Sequence, residues 1–428
     1  MFTKKTIKDI DLKGKTVLLR ADYNVPIDNG KITDDYRIKQ SLATVNYLIE
    51  HANKLIICSH LGRPKGTKDL RYSLKPVSKH LSHLLDKEVK FADDCVGLSA
   101  QEAVKALKDK QVLVLENLRF HTEEEANDDA FAKQLASFAD IFVQDGFGVV
   151  HRKHATTYAI TKHLPSVSGL LLEKEVDTIT KVMEKPERPL ISIIAGAKIA
   201  DKIELLEVFI KIADFVAIGG ALADTFIAAK GIKIGKSLID KDELGLAKDI
   251  MAKADKESKK RPFVFAVPHD VVVSEKIDRT FSTRIVDFSS NSFVDIINYP
   301  HRVPEKDIKL KANEMILDIG PFSASFIAGA IQLSKTVVWN GTMGVTETKG
   351  LQGPIGPYAH GTQTIIEAVV GDLGNKPFSL VGGGDTVGYI EQRQLTDSFN
   401  HVSTGGGASL ELMSGHKLPG IEALNNKS

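Results

Sequence analysis

The chain has 428 residues, 43% apolar and 26% charged, and 56 Lys and Arg against 55 Asp and Glu leave a formal net charge of +1. That is ordinary for a water-soluble globular protein but longer than the ~250 to 300 residues at which one core stops growing, so two domains are expected. So balanced a charge argues against a nucleic-acid binder, the N-terminus MFTKKTIKDIDLKGK is too polar for a signal peptide, and no apolar run reaches the ~20 residues of a membrane span.

In the first half, TVLLRADYNV (16 to 25), KLIICS (54 to 59), VKFA (89 to 92), QVLVLEN (111 to 117) and IFVQDG (141 to 146) read as buried strands. Between them Ile38, Leu42, Val45 and Ile49 keep helical spacing, as do Phe131, Leu135 and Phe138. This alternation predicts a mostly parallel sheet covered by helices. Cys58 and Cys95 show no metal-ligand spacing, and a reducing, cytoplasmic setting is expected.

From residue 172 a charged helical stretch, LEKEVDTITKVMEKPERP, ends in Pro186 and Pro189 and suits a joint between two cores. A second series follows, with PLISIIAGAK, FVAIGG, PFVFAVPHDVVV, MILDIGP, TVVWNG and FSLVGGG as strands and helices starting near Asp201, Ser323, Gly361 and Thr386. HVSTGGGASLELMSG adds a last strand, glycine run and helix. The predicted fold class is α/β, with two domains, each a mostly parallel, Rossmann-like sheet flanked by helices. The expected divisions are 1–171, a hinge at 172–190, 191–396, and a final segment 397–428.

Ligands of open α/β sheets bind beyond the carboxyl ends of the strands. In the first half those ends carry Arg20, Asp22 and Asn24, then His60 and Arg63 in SHLGRPKG, Arg119 in LENLRFH and Arg152 in DGFGVVHRKH, with Arg37 where a helix begins. A single loop arginine is most often merely solvated. Several guanidinium forks along one sheet edge suit a multiply charged phosphate or carboxylate. In the second half GAKIADKI places Lys198 and Lys202 four apart, on one face if helical. IGGALAD, LDIGPFS, WNGTMGVTE and VGGGDT put glycine at strand ends, where backbone and helix N-termini can approach phosphate. VGGGDT is no Walker loop, and Asp385 beside phosphate requires a cation, for which Mg²⁺ is the natural choice.

Taken together, RADYNVP, SHLGRPKG, LENLRFH, GAKIADKI, VVWNG, VGGGDT and HVSTGGGASLELMSG resemble the phosphoglycerate kinase family, in order and over nearly the whole chain. The resemblance implies two similar-sized domains around a central cleft, with the segment 397–428 returning to the first domain, and a monomeric, Mg²⁺-dependent glycolytic kinase that exchanges a phosphoryl group between 1,3-bisphosphoglycerate and ADP, giving 3-phosphoglycerate and ATP. It implies that Asp22, Tyr23, Asn24, Arg37, His60, Leu61, Gly62, Arg63, Arg119 and Arg152 hold the phosphoglycerate. It assigns the nucleotide to Lys202, Gly220, Ile316, Asn340, Glu347, Gly383, Gly384, Asp385 and Thr386, with Asp385 at the metal. Arg37, Lys198 and Gly406, within Gly405 to Gly407, are implied to meet the phosphoryl group in transit. The chain departs from the family pattern at Thr342, usually proline, at Thr346, usually phenylalanine, at Gly146, usually alanine, and at Ile316, glycine in some members. Two other readings are a two-domain anionic-metabolite binding protein without catalysis, which leaves Lys198 and Lys202 idle, and an NAD-dependent dehydrogenase, which lacks an early glycine fingerprint.

Overall fold

The structure is a computed structural model describing residues 2–239, 241–288, 309–351 and 353–427. It divides into two compact units, Met1–Lys181 with Thr404–Ser428, and Val182–Ser403.

The first unit contains β1 (Thr16–Arg20), a short hairpin of β2 (Ile27–Asp28) and β3 (Lys31–Ile32), β4 (Lys54–Cys58), β5 (Val89–Phe91), β6 (Val112–Val114), β7 (Ile141–Gln144) and β8 (Ser166–Ser168). Six of these form a sheet in the order β5-β6-β4-β1-β7-β8, parallel throughout. Period-2 alternation divides each strand between two cores. Val17, Leu19, Ile57, Val114 and Val143 join Ile38, Val45 and Leu48 of the helix Tyr36–His51 on one face. Leu18, Ile56, Leu113 and Phe142 meet Phe131 and Leu135 of the helix Asp129–Ala136 on the other. Sheets buried on both faces read as continuous apolar runs, which is why these strands were visible.

Two differences are instructive. The first strand stops at Arg20 rather than Val25, because its neighbours β4 and β7 also end there and leave Ala21 to Val25 without a ladder. The strand β8, SVS, was not expected, since its two serines give no apolar run.

The second unit contains β9 (Leu190–Ala195), β10 (Phe215–Gly219), β11 (Val264–Ala266), β12 (Asp270–Ser274), β13 (Arg284–Asp287), β14 (Met315–Ile319), β15 (Thr336–Asn340), β16 (Phe378–Gly382) and β17 (His401–Val402). A six-stranded parallel sheet has the order β11-β10-β9-β15-β16-β17, and β13-β12-β14 form a separate sheet that is antiparallel. The run PFVFAVPHDVVV is thus two strands belonging to two sheets. Pro268 has no N–H to donate and interrupts it. MILDIGP likewise lies in the antiparallel sheet, not in the parallel series. Its partners Val271, Val273 and Val286 bury one face of that sheet against Ile227 and Ile234.

Each of the strands β9, β10, β15 and β16 is followed at once by a glycine in the left-handed region, Gly196 (φ 152°), Gly220 (62°), Gly341 (101°) and Gly383 (95°). At Gly341 the requirement is strict, because a Cβ would collide with the Ala195 carbonyl of the neighbouring strand. Among the described residues no helix is long and apolar enough to cross a membrane.

Candidate functional site

In the first unit the fold gathers Arg20, Arg37, Arg119 and Arg152 around His60. Arg20 closes β1 as a buried structural residue, 1% exposed. Its Nε donates to Thr156 Oγ1 at 2.9 Å, and it lies 3.9 Å from the buried Glu124 carboxylate. Arg37, on the first turn of its helix, lies 3.4 Å from Asp22 Oδ2 and donates to the Asn24 carbonyl at 3.1 Å. Arg119 donates to the Gly62 carbonyl at 2.7 Å and has Glu125 at 3.1 Å. Arg152 donates from Nε to His151 Nε2 at 3.0 Å, and Arg63 is exposed.

The histidines record the resulting field. His60 is buried, and burial followed by Arg20, Arg119, Arg37 and Arg152 holds it well below its usual range. His154 is pushed down to about 4 by burial, then by Arg20, Arg119 and Arg152. His151 is also brought down to about 4, by burial and Arg152. Their own acids, Asp22, Glu124 and Glu125, leave the guanidinium groups undercompensated. An excess of forks with neutral imidazoles between them has the chemistry that suits a polyanion.

Not every predicted residue presents its side chain there. Tyr23 is buried with its hydroxyl against Ser41. Leu61 is also buried, and its backbone N–H and carbonyl are both taken by Asn117. Asn24 Oδ1 accepts from the Gly62 amide at 2.8 Å and fixes the loop after β4. The returning C-terminal segment is tied to this unit by Glu175, which accepts from Thr404 N and Oγ1 at 2.7 and 2.8 Å. It brings Gly407 to His151, a Cβ there lying 3.4 Å from Nε2, while Gly406 (φ 48°) caps the short helix Gly407–Met413.

In the second unit the glycine-marked strand ends adjoin a cavity of about 540 Å³ lined by Gly220, Ile316, Glu347 and Asp385, among others. Lys202 Nζ contacts Asn340 Oδ1 at the end of β15. Burial brings its ammonium down to about 8 despite Asp385 and Asp201, and Asn340 Nδ2 is buried without a hydrogen-bond partner among the described residues. The helix after β9 begins only at Ile203, with Lys202 at its cap. Helical i, i+4 spacing therefore does not relate Lys202 to Lys198, which is exposed. Gly383 packs against Asn340. Gly384 and Asp385 open the helix Gly384–Gln392, both exposed. Thr386, by contrast, is buried and its Oγ1 accepts from the Gly341 amide at 2.8 Å, so its hydroxyl joins two loops.

The cavity also includes residues that the sequence analysis did not single out, among them Lys236, and Asp224 and Asp318 within the quoted stretches IGGALAD and LDIGPFS. Asp318 is pushed up to about 8 by burial, against backbone N–H groups of Gly361 and Ile319. Elsewhere, Asp94, Cys95 and His121 lie within 4.8 Å of one another. His121 Nε2 is 2.7 Å from Asp94 Oδ1, and the Cys95 thiol is raised well above its usual value by burial, so they pack as a hydrogen-bonded pair beside a protonated thiol.

Comparison with known proteins gives one answer. The phosphoglycerate kinase family model matches residues 7–416. Phosphoglycerate kinase of Koribacter versatilis is 43% identical over 433 residues, covering 99% of this chain and all of that one. The enzyme of Pelotomaculum thermopropionicum is 42% identical over 424 residues, with 99% and 100% coverage. Among solved structures, the phosphoglycerate kinases of Coxiella burnetii (33% identity, TM-score 0.79, 98% of both chains) and Pyrococcus horikoshii (30%, 0.79, 99% and 98%) are similar. Nothing in these comparisons supports a non-catalytic binding protein.

Proposed function

The chain belongs to the phosphoglycerate kinase family, and from that premise we propose how its own residues divide the family's reaction. It is an enzyme that transfers a phosphoryl group reversibly between 1,3-bisphosphoglycerate and ADP, giving 3-phosphoglycerate and ATP. The observation that supports the division best is the field at His60, where four guanidinium groups act on one buried imidazole.

Arg63, Arg119 and Arg152 anchor the remote phosphate of phosphoglycerate, with His60 as a neutral hydrogen-bonding partner. Arg37, Asp22 and Asn24 orient the acid end. Tyr23, Leu61 and Gly62 contribute through the backbone path that positions Asn24 and Arg119. In the other unit, Gly220, Ile316 and Glu347 belong to the cavity that takes the nucleoside. Lys202, the Asn340 amide, and the Gly383, Gly384 and Thr386 turn meet its phosphates. Asp385 is an exposed carboxylate on the cavity lining, an oxygen donor of the kind that Mg²⁺ takes. Bound with the nucleotide, Mg²⁺ supplies charge neutralisation on the phosphate oxygens. The enzyme works as a monomer in the cytoplasm.

The acceptor carboxylate is ionised at neutral pH, so no general base is required. The obstacle is repulsion: two like charges ~4 Å apart oppose each other by about 4 kcal/mol at an effective dielectric near 20, and both substrates carry several. Arg37, Lys198 and the backbone N–H groups at Gly406 offset the charge on the group in transit, so that catalysis is positioning plus charge stabilisation. A coupled assay with 3-phosphoglycerate and Mg-ATP tests the assignment. Arg37→Ala and Lys198→Ala should each lower kcat by about 10²-fold or more. Near-normal kcat in either removes that residue from the transfer site.

A further inference from the structure

Besides the half-buried Thr342, the polar side chains lining the cavity of the second unit are of three kinds. Lys236, Glu347 and Asp385 are exposed. Ser237 and Asp318 are buried but engaged: Ser237 Oγ accepts from the Ile316 amide at 2.9 Å, and Asp318 accepts from the Ile319 and Gly361 amides at 2.9 and 2.8 Å. Asp224 is different. It lies one turn along the helix Gly220–Ala229, is 1% exposed, lines the cavity, and its Oδ1 has no hydrogen-bond partner among the described residues. A buried polar atom without a partner is costly, and its position on a cavity wall points to a partner supplied by a ligand.

The rest of the lining indicates which part of the ligand that is. Pro268, Ile316, Met343 and Val345 are apolar and suit the faces of a flat heterocycle. Of the groups directed at the phosphate end, Asp385 lines the cavity while Lys202 and Asn340 do not, so the apolar part of the lining lies beyond the phosphate-binding turn. We propose that Asp224 reads the base of the bound nucleotide, its carboxyl group pairing with the exocyclic amino group of adenine. Burial alone pushes this carboxyl well above the usual carboxylate range. Protonated, the carboxyl offers one O–H donor and one carbonyl acceptor, the complement of adenine's ring nitrogen and adjacent amino group; ionised, it still accepts from the amino group. The inference rests on the assignment of this cavity to the nucleotide.

Calorimetric titration with ADP and with purine riboside 5′-diphosphate, which lacks only the amino group, tests it. The unsubstituted protein should bind ADP about tenfold more tightly than the purine analogue, the size of one unmade buried hydrogen bond. Asp224→Leu should bind the two within about twofold, and its retained binding of the purine analogue shows that the fold survives. Asp224→Asn, which keeps a donor and an acceptor, should retain the preference. A tenfold preference that persists in Asp224→Leu, or that is absent from the unsubstituted protein, overturns the inference while leaving the nucleotide reading intact. Failure of the unsubstituted protein to bind either diphosphate overturns both.

Discussion

Lys202 and Asp224 show how much a single residue's surroundings alter its chemistry. Burial leaves Lys202 at about 8, so near pH 8 about half of the free protein carries it neutral. An incoming phosphate favours the ammonium and raises that value. Binding of ADP should therefore take up a proton between about pH 7.5 and 9 and none near pH 6.5. The measurement is calorimetry in buffers of different ionisation enthalpy, and uptake that persists in Lys202→Met would assign it to another group. At this scale the sequence was a partial guide. Lys202 was legible from GAKIADKI, yet the reason given, helical spacing from Lys198, does not apply, because the turn carries both residues past the strand before the helix begins. Asp224 was not legible at all: in GALADTFIAA one acid among apolar residues looks like a solvent-facing position, and only the packing of that helix shows it to be enclosed.

At the scale of elements, the second unit's site depends on loops locked to one another. After β15 the Gly341 amide donates to Thr386 Oγ1 at 2.8 Å, the Met343 amide donates to Thr362 Oγ1 at 3.0 Å, and the Gly220 amide donates to the Met343 carbonyl at 3.0 Å. Three strand-end turns are thereby held in one arrangement, which a β-carbon would disturb. Gly341→Ala meets both a left-handed φ and the Ala195 carbonyl. It should destabilise the second unit by about 1 to 3 kcal/mol, read as an earlier unfolding transition in denaturant; an unshifted transition would show that the loop yields. The parallel strands were readable because burial on both faces makes them continuous apolar runs. The antiparallel sheet was not. Its strands β12 and β14 have equally apolar sequences, and which sheet they join is decided by Pro268 and by pairing partners far along the chain.

At the scale of the molecule, each compact unit has its own charge logic. The first concentrates guanidinium groups for a small polyanion, and the second surrounds an apolar cavity with glycine turns. Ligand-dependent hydrogen exchange should separate them. ADP should slow exchange at the turns after β9, β10, β15 and β16 and leave the amides around Asn24, Gly62 and Arg119 unchanged; 3-phosphoglycerate should do the reverse. Protection of the Gly341 and Gly383 turns by 3-phosphoglycerate alone would contradict this assignment of ligands to units. The arginine positions could be listed from strand ends, but the neutrality of His60 could not, since it follows first from its burial and then from four arginines, distant in sequence, gathered around it.

The tie between Glu175 and Thr404 bears on how the chain is made. The first unit includes residues from both ends of the sequence, with the Lys5 amide bonded to the Asn425 carbonyl at 2.7 Å and the Lys4 ammonium to the Glu422 carbonyl at 2.8 Å. The second unit is one continuous stretch between them. On a ribosome, all the residues of the second unit are available before those of the first. The first unit must wait, with Lys4 still lacking the Glu422 carbonyl, until residues 404–428 have been made and have left the exit tunnel. A chain cut back to residue 403 would therefore damage the N-terminal half of the protein and spare the middle.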